Sequence, residues 1–279
     1  KIFFKSALIC CALSLLTLIC LVPLWILVVN ATRDHNDIIK GISLLPSNFL
    51  FKNIKELQTN TLYTTFFHPL VGMRNSLIIA GSCCALTVFF SGLTAYGLVV
   101  YDFKLKGPMF TFILAVMMVP SQVTAVGFMK MLVTWKLLNS YIPLIIPSIA
   151  APAIVFFMRQ YMQTSLPMEI LQSARIDGAG EFRIFNTIAL PLMKPAMATQ
   201  AIFSFVSTWN SLFLPMILLT DKELYTMPQM VALLNGDIYK TEYGSVYLGL
   251  LLTVLPLFVI YFALSKYIIA GVALGGVKE

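Results

Sequence analysis

Long apolar runs with few charged side chains constrain this chain more than any other feature. The first covers residues 7–29, and a membrane-spanning helix needs about 20 mostly apolar residues to cross roughly 30 Å of hydrocarbon. A secretory signal peptide has a shorter apolar region that ends at a small-residue cleavage site, so this run is predicted to stay in the membrane. Five more long runs follow, at residues 76–100, 108–131, 141–162, 196–219 and 243–269, and the run at 108–131 is interrupted at residues 120–122.

The composition supports the same interpretation. Hydrophobic residues make up 59% of the chain and charged residues 11%, whereas an average soluble domain has about 25% charged residues. Backbone groups inside lipid must be hydrogen-bonded within the membrane segment, and a helix does this most simply. The sequence therefore predicts an all-α polytopic membrane protein with six transmembrane helices. One transmembrane domain accounts for residues 1–279.

The basic residues, histidines and cysteines do not form a pattern typical of a nucleic-acid or metal site. The formal net charge is +7, but the Lys and Arg residues stand singly between apolar runs, which favours anchoring at a membrane surface. His35 and His68 have no other ligand at metal-binding spacing. The five cysteines all lie inside apolar runs without C-x-x-C spacing, namely Cys10, Cys11, Cys20, Cys83 and Cys84.

A polar segment at residues 163–195 separates the fourth and fifth runs and has its own helix signals. Ser165 can cap a helix start, and Pro167 is tolerated in a first turn. Gly178 and Gly180 are natural helix terminators because glycine reaches positive φ without steric cost. The spacing predicts a short helix at about residues 166–177 that ends in a sharp turn. A second helical piece is expected to close at Leu190-Pro191.

The apolar side chains of the short helix predict a docking surface. Leu166, Ile170 and Ala174 are spaced to share one face, and aromatic residues follow the turn. An apolar ridge that projects from a membrane domain is typical of an element that docks into a groove of a partner protein.

The same segment resembles the E-A-A-x3-G-x9-I-x-L-P signature of bacterial ABC importer permeases. Gln172 stands where the acidic residue is usual and Ser173 where the first alanine is usual. Other motifs resemble the carbohydrate-uptake branch, in particular its second, maltose-permease-like subunit, and together they cover about residues 75–279 densely. These motifs are Asn75-Ser76-Leu77-Ile78, Ala95-Tyr96-Gly97, Met118-Val119-Pro120, Ser207-Thr208-Trp209-Asn210, Tyr225-Thr226-Met227-Pro228 and the glycine-rich stretch at 271–278.

The resemblance implies a type I ABC importer permease fold in a bacterial cell membrane, with both termini cytoplasmic. The short helix would be the coupling helix, seated on a cytoplasmic ATPase, so that ATP-driven closure of two ATPase subunits switches the membrane helices between inward and outward access. A homologous second permease subunit and an extracytoplasmic sugar-binding protein are the other implied protein partners. The implied ATPase-coupling residues are Glu169, Gln172, Ser173, Ala174, Asp177, Gly178, Ala179, Phe182, Ile188, Leu190 and Pro191.

The chain itself is predicted to be non-catalytic and to bind no cofactor. It has no G-x-x-x-x-G-K-[ST] phosphate-binding loop, so ATP and Mg²⁺ are expected in the partner ATPase subunits. A membrane-embedded transferase would need clustered His, Asp or Glu residues, and no such cluster is visible. A secondary transporter usually shows ionisable residues deep inside its spans or inverted repeats. No inverted repeat is visible, and Lys130, Arg159 and Lys266 lie within three residues of the ends of their runs.

Polar residues inside the spans are candidates for the substrate path. Such residues usually face a protein interior or a water-filled path, and aromatic side chains beside neutral hydrogen-bonding groups suit a sugar. The alternative is helix–helix packing through small polar residues, and a permease for another small solute also stays open. The candidates are Gln122, Gln200, Ser204, Ser207, Thr208, Trp209 and Asn210.

Overall fold

A computed structural model describes residues 2–235 and 241–275, and every regular element in those ranges is helical. A 3₁₀ turn at Ile146–Ile149, a π-helical turn at Phe185–Ala189 and a 3₁₀ turn at Lys222–Leu224 connect some of the α-helices. In chain order the α-helices are α1 (Ile2–Ala31), α2 (His35–Lys40), α3 (Leu50–Thr59), α4 (Thr61–Thr64), α5 (Pro69–Val100), α6 (Lys106–Met117), α7 (Ser121–Thr134), α8 (Ile142–Ile145), α9 (Pro152–Ser165), α10 (Met168–Ile176), α11 (Glu181–Ile184), α12 (Leu190–Leu192), α13 (Lys194–Trp209), α14 (Phe213–Leu218), α15 (Met227–Leu234) and α16 (Tyr243–Gly275).

Among the described residues, four mostly helical stretches are long and apolar enough to cross a membrane. They correspond to the predicted first, second, fourth and sixth spans, at Ser6–Ala31, Pro69–Val100, Ile142–Ser165 and Tyr243–Ala263. The predicted third and fifth spans each consist of two shorter helices, α6 with α7 and α13 with α14.

Proline accounts for these interruptions. Pro120 precedes α7 in an extended conformation, which confirms the interruption predicted in the third run. The break in the fifth span, at residues 210–212, was not predicted. Pro215 has no N–H to donate to the carbonyl of Ser211, so helical hydrogen bonding cannot continue unbroken through this point. In the fourth span, Pro147 and Pro152 accompany the change from α8 through a 3₁₀ turn to α9.

The chain divides into two compact units, and the first consists of Lys1–Met73 and Thr226–Pro256. Within it, the segment after α1 folds back on the end of that helix. The side-chain amide of Asn53 donates to the carbonyls of Ala31 and Arg33 at 2.9 and 3.0 Å. The side chains along α1 are exposed over most of its length, as expected for a helix that lies against lipid or another chain.

The second unit consists of Arg74–Tyr225 and Leu257–Glu279. A core of this unit joins α5, α9 and the polar segment between the fourth and fifth spans. The polar segment is therefore packed onto the membrane helices rather than projecting freely. The buried members of this core are Val88, Ala95, Tyr96, Met158, Met162, Leu166, Leu171, Ala174, Ile184, Phe185, Ala189 and Met193.

Candidate coupling segment and transport path

The short helix predicted at about residues 166–177 is α10, Met168–Ile176. Pro167 lies at its N-cap, with φ −71° and ψ 114°. Glu169 lies in the first turn and Arg175 in the last, where each charge complements the helix dipole. The predicted position of this helix is confirmed to within two residues at each end.

The turn after α10 is a Schellman motif. Gly178 has φ +80°, and its N–H donates to the carbonyl of Arg175 at 3.0 Å. The N–H of Ala179 donates to the carbonyl of Ala174, also at 3.0 Å. These two bonds satisfy carbonyls that the end of the helix leaves without partners. Gly180 has φ −69° and begins α11, so positive φ is needed at Gly178 and not at Gly180.

The predicted apolar ridge on α10 is corrected by the structure. Leu166 and Ala174 are buried in the unit core, together with Leu171, while Ile170 is exposed. The buried face of α10 therefore differs from the predicted one. Leu171 and Ala174, three residues apart, face α5 and α9 as part of the shared core. The predicted face is therefore mostly an internal contact and not a free docking surface.

The exposed surface of this segment is polar with a few large apolar side chains. Ile176 is 86% exposed and Phe182 64% exposed. Of the predicted coupling residues, Ala174 is buried, Ala179, Ile188 and Leu190 are partly buried, and the exposed ones are Glu169, Gln172, Ser173, Asp177, Gly178, Phe182 and Pro191.

The second helical piece runs further than predicted. It comprises α11, the π-helical turn at Phe185–Ala189 and α12, and it ends at Leu192 rather than at Leu190-Pro191. The ring of Phe185 packs against Tyr96 and Phe89 of α5, with ring centroids 5.2 and 5.9 Å apart.

An ion pair that the sequence analysis did not identify closes the turn at Gly178. Nε of Arg175 lies 2.6 Å from Oε1 of Glu181, and a second guanidinium nitrogen lies 3.2 Å from Oε2. Tyr101, which follows α5 directly, donates to Oε2 of Glu181 at 2.5 Å. The Arg175 guanidinium, and then the Tyr101 hydroxyl, hold the pKa of Glu181 below its usual value. Spacing alone could not identify this pair because the turn sets how the two side chains meet.

The predicted substrate-path residues of α13 lie on different faces of the helix. Gln200, Ser204 and Trp209 are buried within the unit, whereas Ser207 and Asn210 are exposed and Thr208 is partly buried. The side chain of Gln122 lies outside the part of the structure that is described. The structure thus does not bring the six described candidates together in one site.

Trp209 has an extensive packing environment. Its ring stacks on Phe205 with centroids 5.6 Å apart, and both side chains form a buried cluster with Ala80 of α5. This arrangement favours the packing interpretation for Trp209.

The second unit also contains a cavity of about 470 Å³ that sequence reasoning missed. It lies where α7 begins, where α8 passes into the 3₁₀ turn and where the fifth span breaks. The prolines at 120, 147 and 215 could have indicated this convergence. The lining is uncharged and consists of Thr124, Ala125, Phe128, Pro143, Leu144, Pro147, Ser211, Phe213 and Leu214.

Comparison with known families identifies this fold. Residues 78–273 match the family described as the binding-protein-dependent transport system inner membrane component, which is most of the chain and includes the coupling segment. The chain belongs to this family. It is an ABC importer permease, a multi-pass transport subunit of a membrane complex and not an enzyme, as the resemblance implied.

Similar permeases align with almost the whole chain. The arabinooligosaccharides transport system permease protein AraQ of Bacillus subtilis is 35% identical, with 95% of this chain and 92% of the relative covered. The sn-glycerol-3-phosphate transport system permease protein UgpE of Salmonella typhi is 32% identical, with 90% of each covered. The lactose transport system permease protein LacG of Rhizobium radiobacter is 31% identical, with 95% of this chain and 94% of the relative covered.

A solved structure shares the fold. One chain of a bacterial ABC transporter for the import of the acidic polysaccharide alginate aligns with a TM-score of 0.77 at 19% identity, covering 95% of this chain and 96% of that chain. The predicted class, an all-α membrane protein with the type I ABC importer permease fold, is confirmed.

Proposed function

We propose that this permease carries a sugar or oligosaccharide into the cell and that ATP hydrolysis in partner subunits drives transport through α10. The observation that carries the proposal is the geometry of α10. The Schellman turn at Gly178 fixes the end of this helix. Leu171 and Ala174 pack its inner face into the core shared with α5 and α9, and its other face is exposed. A helix held in this way moves with the membrane helices when a docked protein moves.

The exposed surface of α10 and its turn is proposed as the ATPase contact. Ile176 and Phe182 offer apolar area, with Gln172, Ser173 and Asp177 as polar neighbours. Gln172 replaces the acidic residue of the family signature and can still hydrogen-bond through its amide. The buried Ala174 and the partly buried Ile188 and Leu190 support the loop from inside.

The remaining parts of the complex follow from the same proposal. Two ATPase subunits hold ATP and Mg²⁺ on the cytoplasmic side, where both termini of the permease and α10 also lie. A homologous second permease subunit completes the path, with residues 1–279 serving as one transmembrane domain. An extracytoplasmic binding protein delivers the substrate.

A neutral sugar is favoured by the relatives and by the cavity. The similar permeases of Bacillus subtilis and Rhizobium radiobacter are named for arabinooligosaccharides and lactose, and the one of Salmonella typhi for sn-glycerol 3-phosphate. The cavity at the helix breaks has Phe128 and Phe213 beside the hydroxyls of Thr124 and Ser211. Aromatic faces with neutral hydrogen-bonding groups suit a sugar, whereas a phosphate favours Lys, Arg or backbone N–H partners.

The experiment is reconstitution of the complete complex in proteoliposomes. The permease is co-expressed with a second permease, an ATPase and a binding protein from its own genome. Uptake of radiolabelled arabinotriose, lactose and sn-glycerol 3-phosphate is measured with and without ATP, together with ATP hydrolysis. We expect ATP-dependent uptake of a sugar, and ATP-dependent uptake of sn-glycerol 3-phosphate alone would contradict the substrate class.

A matched pair of variants tests the coupling segment. Gly178→Pro cannot adopt φ +80° and loses the hydrogen bond to Arg175, so it should abolish ATP-driven uptake while the complex still assembles. Gly180→Pro is the control because φ at that residue, −69°, fits the proline ring. Uptake that survives Gly178→Pro, or that proceeds without any ATPase, would show that the permease is not driven through α10 and would favour a secondary transporter.

A further inference from the structure

Glu181 joins three parts of the second unit through its carboxylate. Arg175 reaches it from the last turn of α10, and Glu181 itself begins α11. Tyr101 donates to it at 2.5 Å from the end of α5, and Tyr96 donates at 3.4 Å from within α5. The guanidinium carbon of Arg175 also lies 5.7 Å from the centre of the Tyr101 ring.

The two links of this network differ in what they connect. The Arg175–Glu181 pair bridges the turn at residues 177–180, so it holds α10 and α11 together. The Tyr101–Glu181 hydrogen bond joins that turn to the residue that follows span two. A charge-assisted hydrogen bond of this kind is short and directional, and therefore it transmits a displacement better than an apolar contact that can slide.

The tyrosine side of this network is packed in the core, whereas its ion pair is partly exposed to solvent. Tyr96 is buried, and its ring contacts both Phe185 and Tyr101, with centroids 5.2 and 6.1 Å apart. Nζ of Lys106 donates to the carbonyl of Tyr101 at 2.9 Å, which also ties this residue to the start of α6. The side chains of Arg175 and Glu181 are 33% and 43% exposed, so the network lies at the edge of the core and contributes little to stability.

We infer that Arg175, Glu181 and Tyr101 form a clasp that passes the movement of α10 to the end of span two and the start of α6. The inference rests on the proposed docking of α10 on an ATPase. All three are positioning residues, since their contacts connect α10 to the end of span two. The exposed side chains of Ile176 and Phe182 lie outside the clasp, so removing one clasp bond leaves the docking surface in place.

The clasp predicts which parts of the permease respond together. In the reconstituted complex, Mg-ATP should change backbone deuterium uptake in peptides covering residues 168–184 and in those covering residues 97–106. Tyr101→Phe keeps the ring and removes the hydroxyl that donates to Glu181. In this variant the 168–184 peptides should still respond to ATP, whereas the response of the 97–106 peptides should be smaller than in the parent.

Two further variants make the result specific. Tyr141→Phe is the matched control, because the Tyr141 hydroxyl is buried and makes no hydrogen bond within the described part of the chain. Glu181→Gln keeps an acceptor for Tyr101 but removes the charge that Arg175 pairs with, so it should weaken the response less than Tyr101→Phe does. If Tyr101→Phe lowers assembly of the complex, Glu181→Gln is used for the test instead. A response of the 97–106 peptides in Glu181→Gln that equals the parent's would then contradict the clasp.

The outcomes separate the clasp from the proposed function. If Tyr101→Phe leaves the ATP response of both segments as in the parent, the clasp does not transmit movement and the inference is wrong. If the parent complex shows no ATP response in residues 168–184, α10 is not the coupling element, and the proposed function fails first. A stability role alone would change the melting temperature of the complex without separating the two responses.

Discussion

The side-chain amide of Asn53 lies so close to Gly244 that a Cβ atom on this glycine would be 2.5 Å from its Nδ2. The same Cβ would be 2.6 Å from the backbone carbonyl oxygen of Arg33. Asn53 donates from Nδ2 to the carbonyls of Ala31 and Arg33. The first turn of α16 can therefore approach the end of α1 only because residue 244 has no side chain.

Gly244→Ala should destabilise the first unit. The added methyl group meets a backbone atom and an amide that is already committed to two hydrogen bonds, so neither can move freely. Overpacking of this kind costs about 1–3 kcal/mol, and thermal unfolding of the purified permease in detergent measures it. Gly81→Ala is the matched control, since a Cβ there would meet nothing within 4 Å and alanine favours a helix. Equal melting temperatures for both variants would show that the contact at Gly244 is relaxed.

Asn75 makes a second buried connection, within the other unit. It is fully buried, and its side-chain amide donates to the carbonyl of Glu223 at 2.7 Å and to that of Tyr225 at 3.0 Å. It thereby holds the segment before α15 against α5. Asn75→Leu keeps the approximate volume but leaves two carbonyls without their donor, at a cost of about 1–3 kcal/mol.

The expected result for Asn75→Leu is local loosening. Trypsin should cleave after Lys222 faster than in the parent, in addition to a lower melting temperature. Asn186→Leu is the comparison, because the amide of Asn186 makes a single hydrogen bond, to Phe182, at the surface. Faster cleavage at Lys222 in both variants would mean that the effect is general and not due to the Asn75 connection.

The ion pair of Asp34 and Lys52 should set a pH dependence in the first unit. The hydrogen bond from Lys52 lowers the pKa of Asp34 from 3.8, and the same contact raises the pKa of Lys52 from 10.5. The stabilisation due to Asp34 is present above pH 3.8 and is lost as the pH falls through its lower folded-state pKa. That due to Lys52 is present below pH 10.5 and is lost as the pH rises through its higher folded-state pKa.

Lys52→Gln should therefore lower stability by a constant small amount between pH 3.8 and pH 10.5. The side chain of Lys52 is 57% exposed, so solvent screening limits the effect to less than about 1 kcal/mol. Melting temperatures of the parent and variant should converge below pH 3.8, once Asp34 is protonated. Lys55→Gln, on the same helix, is the control, and a Lys52→Gln difference that persists in acid would indicate a packing effect instead.

The sequence predicted α10 well because its ends are set by local chemistry. Pro167 cannot continue a helix from the preceding segment, and Gly178 provides the positive φ that a Schellman turn requires. Which face of α10 is buried depends on tertiary packing. Both sides of α10 carry aliphatic residues, with Ile170 on one side and Leu171 on the other, so the pattern alone does not show which side is buried.

The pattern of α13 does not show which of its polar side chains share a surface, for a related reason. Small polar residues occur on every side of α13, so Gln200 and Ser204 look like Ser207 and Asn210 in the sequence although the first two are buried and the others exposed. The cavity forms from breaks in three separate spans, and only the folded chain brings Ala125, Pro147 and Ser211 together.

Filling the cavity should distinguish transport from coupling. Ala125 lines the cavity of about 470 Å³, whereas the next residue, Val126, is 80% exposed on another face of α7. Ala125→Trp places a large side chain in the cavity, and Val126→Trp places the same side chain outside it. If the cavity is part of the substrate path, Ala125→Trp should reduce sugar uptake in proteoliposomes by at least about tenfold. The reason is that even one extra methylene group in a binding pocket changes the binding free energy by about 1–3 kcal/mol.

The two tryptophan variants are compared at equal assembly with the partner subunits. ATP hydrolysis should continue in both, because neither residue lies near α10 in the chain or takes part in its core. Val126→Trp should transport as the parent does. Normal uptake by an assembled Ala125→Trp complex would place the substrate path elsewhere, and loss of uptake in both variants would point to general disturbance of α7.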